Sequence, residues 1–200
     1  MSERLGILGG SFNPVHIAHM ILAQEAWHRL ELSRVLFIPA AHNPLKEHPP
    51  AGASDDQRLA MLKLALGQDS RFNVDAFELR RGGISYTIET LHRLALLHQG
   101  AELYLLVGAD AALSLAQWKD IGQFRELCTI VVCNRPGEPD LSTGLPPELR
   151  ELDLRYEYMP LPPLAVSATE IRKRLRLGKP VRYFVADAVA EFIHRHKLYL

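Results

Sequence analysis

Four short runs of this chain are apolar almost without interruption: residues 5–8, 35–38, 103–107 and 129–133. Continuous runs of this length, as opposed to alternating ones, mark strands covered on both faces, as in a parallel sheet. Residues 72–79 and 156–159 read as weaker strands and bring the number to five or six. Apolar residues spaced three and four apart predict helices over 17–30, 55–66, 87–97, 168–177 and 187–196. Ser54 with Gln57, and Ser167 with Glu170, match the capping box that opens a helix. The alternation predicts an α/β fold: a Rossmann-like, doubly wound, mainly parallel sheet of five or six strands flanked by helices.

In such sheets ligands lie beyond the carboxyl ends of the strands. The Gly9-Gly10 turn, the loop 40–53, residues 108–110 and residues 134–137 all follow predicted strands, so they are expected to converge on one cleft. No internal repeat and no linker divides the 200 residues, which are expected to form a single domain. Residues 136–147 read as an exposed insertion.

Composition narrows the partners. Lys plus Arg and Asp plus Glu are each 23, a net charge of zero, which disfavours a nucleic-acid binder. No apolar stretch approaches the roughly 20 residues that span a bilayer, and no signal-peptide pattern opens the chain, so a cytoplasmic protein without a membrane partner is expected. Cys128 and Cys133, five apart in one predicted strand, point to opposite faces and read as buried thiols.

The chemistry is concentrated directly after the first strand, in Gly9-Gly10-Ser11-Phe12-Asn13-Pro14-Val15-His16-Ile17-Ala18-His19. Glycines let a backbone approach a phosphate closely, Pro14 suits a helix entry, and a helix N-terminus offers N–H groups and a favourable dipole. His16 and His19, three apart, share a face of the first turn and converge as donors to phosphate oxygens. The alternatives are two ordinary histidines of a βα unit, or a zinc pair, although the Glu of a His-Glu-x-x-His helix is absent and no third ligand is indicated. Neither a Gly-x-x-x-x-Gly-Lys phosphate loop nor Gly-x-Gly-x-x-Gly is present, which disfavours a P-loop ATPase and a dinucleotide oxidoreductase. Near the other end, Val166-Ser167-Ala168-Thr169-Glu170-Ile171-Arg172 reads either as a well-capped amphipathic helix or as a second anion site of N–H groups, hydroxyls and a guanidinium fork.

The first segment resembles the nucleotidyltransferase signature, Gly-x-Phe-[Asp/Asn]-Pro followed by [His/Thr]-x-Gly-His, with Ala18 where the strict pattern has Gly. The second resembles the Ile-Ser-[Ser/Ala]-Thr-x-[Ile/Val]-Arg motif of the same superfamily. The segments 84–91, 107–110 with Trp118, and 132–137 are similar to bacterial nicotinate-nucleotide adenylyltransferases, and the likeness runs from Gly6 to Tyr199.

That resemblance implies transfer of the adenylyl group of ATP to nicotinate mononucleotide, giving deamido-NAD and pyrophosphate in NAD biosynthesis. It implies that His16, His19 and Arg172 are catalytic and that Gly9, Gly10, Ser11, Phe12, Asp110, Ser167 and Thr169 join them in binding ATP. Residues 164–200 would complete the ATP site. Lys46, Thr87, Trp118 and Arg135 are implied to bind the mononucleotide; Lys46 stands in Asn43-Pro44-Leu45-Lys46, where many relatives read Pro-Pro-His-Lys or Pro-Pro-His-Arg. Mg²⁺ would arrive on the ATP phosphates, with no metal ligand from the protein. A related adenylyltransferase acting on nicotinamide mononucleotide or phosphopantetheine, and a nucleotide-binding module without turnover, are the competing functions; a homo-oligomer is left open.

Overall fold

The computed structural model describes residues 2–45, 52–134, 141–142 and 144–200. Six strands, β1 (Arg4–Gly10), β2 (Arg34–Pro39), β3 (Phe72–Val74), β4 (Glu102–Gly108), β5 (Thr129–Asn134) and β6 (Tyr156–Pro160), form one sheet in the order β3-β2-β1-β4-β5-β6. Every neighbouring pair is parallel. The apolar runs explain it, because successive side chains leave a strand on opposite faces and both faces here are covered. Leu8, Val35, Phe37, Leu106, Val131 and Cys133 enter one core cluster. Leu5, Ile7, Leu36, Ile38, Leu105 and Val132 enter the other.

Helices cover the two faces unequally. The first cluster is closed by α1 (Ile17–Arg29), α2 (Asp55–Leu66), α7 (Ala168–Arg176) and α8 (Asp187–Arg195) through Leu22, Met61, Ile171 and Val189. The second is closed by α4 (Thr87–Leu97), α5 (Ala109–Ala112) and α6 (Phe124–Leu127) through Leu91, Ala109 and Phe124. Cys128 and Cys133 are both buried and belong to opposite clusters as expected, although only Cys133 lies in β5 and Cys128 caps α6 just before it. Burial pushes the Cys128 thiol up to about 12. The described residues contain no helix long and apolar enough to cross a membrane.

Two expectations need correction. The strand expected over 72–79 ends at Val74, and α3 (Phe77–Arg81) occupies its second half. The cause is Asp75: its carboxylate accepts the N–H of Phe77 at 2.9 Å, a local turn that competes with strand pairing. The insertion at 136–147 is exposed only in part where it is described: Ser142 and Pro147 are exposed, whereas Leu141 and Leu145 are buried, and Leu149 follows them inward from a 3-10 turn (Pro147–Leu152). The Tyr156 hydroxyl donates to the Leu141 carbonyl and holds that segment down.

Strand order reverses between β1 and β4, so the crevice of this doubly wound sheet opens beyond their carboxyl ends. The β1–α1 loop and the β4–α5 junction flank it.

Candidate active site

The β1–α1 loop is built around a buried phenyl ring. Phe12 has φ of 44°, in the left-handed region, and its ring packs against Phe37 at 5.7 Å and edge-on to His19 at 5.0 Å. Contact on two sides is what holds a non-glycine residue in that conformation. Pro14 precedes the cap of α1 by two residues and so belongs to the turn that leads into the helix.

His16 is the N-cap of α1, with extended backbone, and is only 5% exposed. Its N–H donates to Nδ1 of His19 at 3.2 Å, and the two rings lie 3.7 Å apart with planes 30° from parallel. Since Nδ1 of His19 accepts, the hydrogen of the neutral ring resides on Nε2, which makes that nitrogen a donor. The helix N-terminus adds N–H groups and a positive dipole end beside the pair. Ala18, where the strict signature has Gly, is buried in the core cluster with Leu22 and Ala23, so its methyl group fills the interior.

The C-terminal segment reaches this loop and the start of α1 through Arg172, Tyr199 and Phe184. Arg172 on α7 donates Nη1–H to the Asn13 carbonyl at 2.7 Å and Nη2–H to Thr169 Oγ1 at 3.2 Å. The Tyr199 hydroxyl donates to the Asn13 side chain at 2.6 Å, and the N–H of Ile17 donates to the Phe184 carbonyl at 2.9 Å. Ser167 caps α7 by accepting the N–H of Glu170 at 3.2 Å. Arg172, about 150 residues along the chain, therefore bonds the loop that leads into the histidine pair. Burial, joined by the Arg176 charge, lowers the Arg172 pKa against the opposing influence of Tyr199; burial raises that of Tyr199.

Arg58 on α2 carried no sequence signal, yet it is 5% exposed and ties three segments. Its guanidinium donates to the carbonyls of Ser11 at 2.6 Å and Ala40 at 2.8 Å, and to Asp55 at 2.7 Å. The β1–α1 loop and the exit of β2 are thereby held to one fork. Gly52, at φ of +157°, passes the Tyr199 ring so closely that a Cβ would lie 2.5 Å from it. A side chain there would push Tyr199 off Asn13.

On the far side of the crevice Asp110 is exposed on α5, with its carboxylate folded back over Gly108; a Cβ on that glycine would lie 2.7 Å from Asp110 Oδ1. Thr87 is the first residue of α4, following Tyr86 as N-cap. The Trp118 indole N–H donates to Ser114 Oγ at 3.4 Å, and its ring meets Phe124 edge-on at 6.2 Å. Lys119 lies 4.3 Å above the Tyr86 ring and 3.3 Å from Glu89, which ties the Trp118 segment to the start of α4. Lys46 and Arg135 lie outside the described residues.

The donors on the β1–α1 loop and on the α7 segment bonded to it are imidazole, guanidinium, hydroxyl and backbone N–H. Such a set fits a polyphosphate; a hard cation takes oxygen ligands. The doubly wound sheet with a histidine pair at its switch point defines a nucleotidyltransferase, and residues 7–174 match the family model described as cytidylyltransferase-like. A probable nicotinate-nucleotide adenylyltransferase of Herpetosiphon aurantiacus is 42% identical over 201 residues, covering 99% of both chains. One from Thermus thermophilus is 39% identical, covering 98% of this chain and 99% of its own. The chain belongs to the nicotinate-nucleotide adenylyltransferase family. The fold agrees with that of a Plasmodium falciparum nicotinic acid mononucleotide adenylyltransferase complexed with NaAD, at TM-score 0.79 and 16% identity over 98% of this chain and 97% of that one.

Proposed function

We propose that this protein transfers the adenylyl group of ATP to nicotinate mononucleotide, releasing pyrophosphate and forming deamido-NAD. The observation that supports the reading is the bond from the Arg172 fork to the Asn13 carbonyl, on the loop that leads into the closely packed His16–His19 pair. An oxygen of the mononucleotide 5′-phosphate attacks the α-phosphorus of ATP as the bond to the bridging oxygen of pyrophosphate breaks. The nucleophile is already an anion, so no base is needed, and catalysis consists of alignment and stabilisation of charge.

His19 donates from Nε2, and with His16 and the α1 N-terminus it holds the ATP phosphates over the Gly9-Gly10-Ser11-Phe12 turn. Arg172, Thr169 and Ser167 grip the nucleotide from the C-terminal side, so residues 164–200 complete the ATP site of a single domain. Asp110 serves the ribose or the metal-linked phosphates. Mg²⁺ carried on the ATP phosphates would supply neutralisation of their charge, with no ligand from the protein. Thr87 and Trp118 contact the nicotinate moiety, and Lys46 and Arg135 also bind the mononucleotide. The reaction draws on small metabolites of the cytoplasm.

Labelled ATP tests the reading. Label at the α-phosphate should appear in the dinucleotide and label at the γ-phosphate in pyrophosphate; label in inorganic phosphate or AMP alone would overturn it.

A further inference from the structure

Glu78, on the five-residue helix α3, is a buried acid that the reaction above does not use: it is 6% exposed and faces Thr90 and Ser85. Thr90 donates its hydroxyl to Glu78 Oε1 at 2.5 Å. Ser85 Oγ accepts the N–H of Ala41 at 3.0 Å, which turns the one hydrogen of that hydroxyl away from Ala41 and toward the Glu78 carboxylate, whose ionised form it favours. The N–H of Ser85 in turn donates to the His42 carbonyl at 2.8 Å, and His42 and Ile84 form a parallel bridge. One carboxylate thus orders two hydroxyls and, through Ser85, the chain leaving β2. Thr87 follows Ser85 by two residues, and Tyr86 between them carries the Lys119 contact to the Trp118 segment.

A carboxylate is an expensive way to fill a core. Burial raises its pKa against the opposing hydrogen bonds of Thr90 and Ser85, with Arg81 helping and Asp75 hindering ionisation. Well-packed apolar side chains often replace such groups without loss. What an apolar residue cannot do is fix the direction of the Ser85 hydroxyl.

We infer that Glu78 is a positioning residue for the mononucleotide: by orienting Ser85 it locks residues 41–42 to the start of α4 and so fixes the wall of the acceptor pocket. The inference rests on the adenylyl-transfer reading, and wild-type enzyme forming deamido-NAD checks that reading separately. The Glu78→Gln variant keeps the shape but offers one oxygen to two hydroxyl donors, so the direction of Ser85 is lost.

In steady-state assays of the full chain, Glu78→Gln should raise KM for nicotinate mononucleotide about tenfold, the scale of one lost hydrogen bond, with KM for ATP and kcat within about twofold. Ser85→Ala breaks the same link from its other end and should show the same split; it carries the test if Glu78→Gln does not fold. Thr90→Val, which removes the partner that does not touch residues 41–42, should lower thermal stability and leave both KM values near wild type. The inference is overturned if both KM values rise together in Glu78→Gln or Ser85→Ala, if neither moves, or if Thr90→Val gives the same split.

Discussion

Replacing Arg58 with Met tests the claim that a single buried fork holds the β1–α1 loop in place. Met keeps the apolar stem and deletes the guanidinium, so the change is one of hydrogen bonding more than of volume. Two of the three lost bonds run from a charged donor to buried backbone carbonyls, those of Ser11 and Ala40 at 2.6 and 2.8 Å. Such bonds contribute about 1.5–3 kcal/mol each, and relief of the buried charge offsets part of the sum, which leaves a net loss of about 3 kcal/mol. The Asp55 contact adds little, because Asp55 is 54% exposed on its side chain. For a chain of this size the loss corresponds to a fall in Tm of roughly 6–12 °C. Misplacing Ser11, at the head of the histidine loop, should also lower kcat/KM of the remaining folded enzyme about 10- to 100-fold. Calorimetry and initial rates measured below the transition separate the two effects. Arg58→Lys supplies charge without the fork and should recover less than half of the loss. A fall in Tm below about 2 °C for Arg58→Met would refute the reasoning.

His16→Ala and His19→Ala should each reduce turnover by about 10² to 10³ with the fold intact by circular dichroism, the scale of losing one donor to developing charge; wild-type turnover in folded His19→Ala would contradict the assignment. Ser167→Ala should cost about 1 kcal/mol by removing the α7 cap, read as a small fall in Tm. Arg172→Ala should raise KM for ATP and also cost about 1–2 kcal/mol, because the half-buried guanidinium bonds the Asn13 carbonyl and does not lie on a solvated face; unchanged kinetics with ATP would remove it from the site. Burial lifts the Glu78 pKa above its ordinary 4.5, so the stability it contributes is fully present below pH 4.5 and is lost as pH climbs through the folded value. Denaturant titrations should therefore show wild type losing stability relative to Glu78→Gln across that window, and a constant difference would contradict the direction.

Local pattern made much of this molecule legible. Continuous apolar runs located the buried strands because both faces of the sheet are covered, and the caps at Ser54 and Ser167 announced α2 and α7. The histidine pair was legible because its partners lie within one helical turn. What sequence did not reveal is held by long-range polar contacts: Arg58 to Ser11 across 47 residues, Tyr199 to Asn13 across 186, and Glu78 to Thr90 between two helices. A buried polar pair has no periodicity, and each of these residue types usually stands at a surface. The strand at 72–79 was overextended because apolar content there is ambiguous, and a single Asx turn decided it.

Acceptor selectivity bears most directly on the central claim. Supplied with limiting ATP and equal concentrations of nicotinate and nicotinamide mononucleotides, the enzyme should form deamido-NAD in preference to NAD by at least about 100-fold, with one pyrophosphate per dinucleotide. A pocket of hydroxyl and N–H donors suits a carboxylate, whereas a carboxamide sets its own NH₂ against them, and polar mismatch of that kind discriminates by up to roughly 10⁴ to 10⁵. Equal amounts of the two dinucleotides, or pyrophosphate release without a dinucleotide, would contradict it.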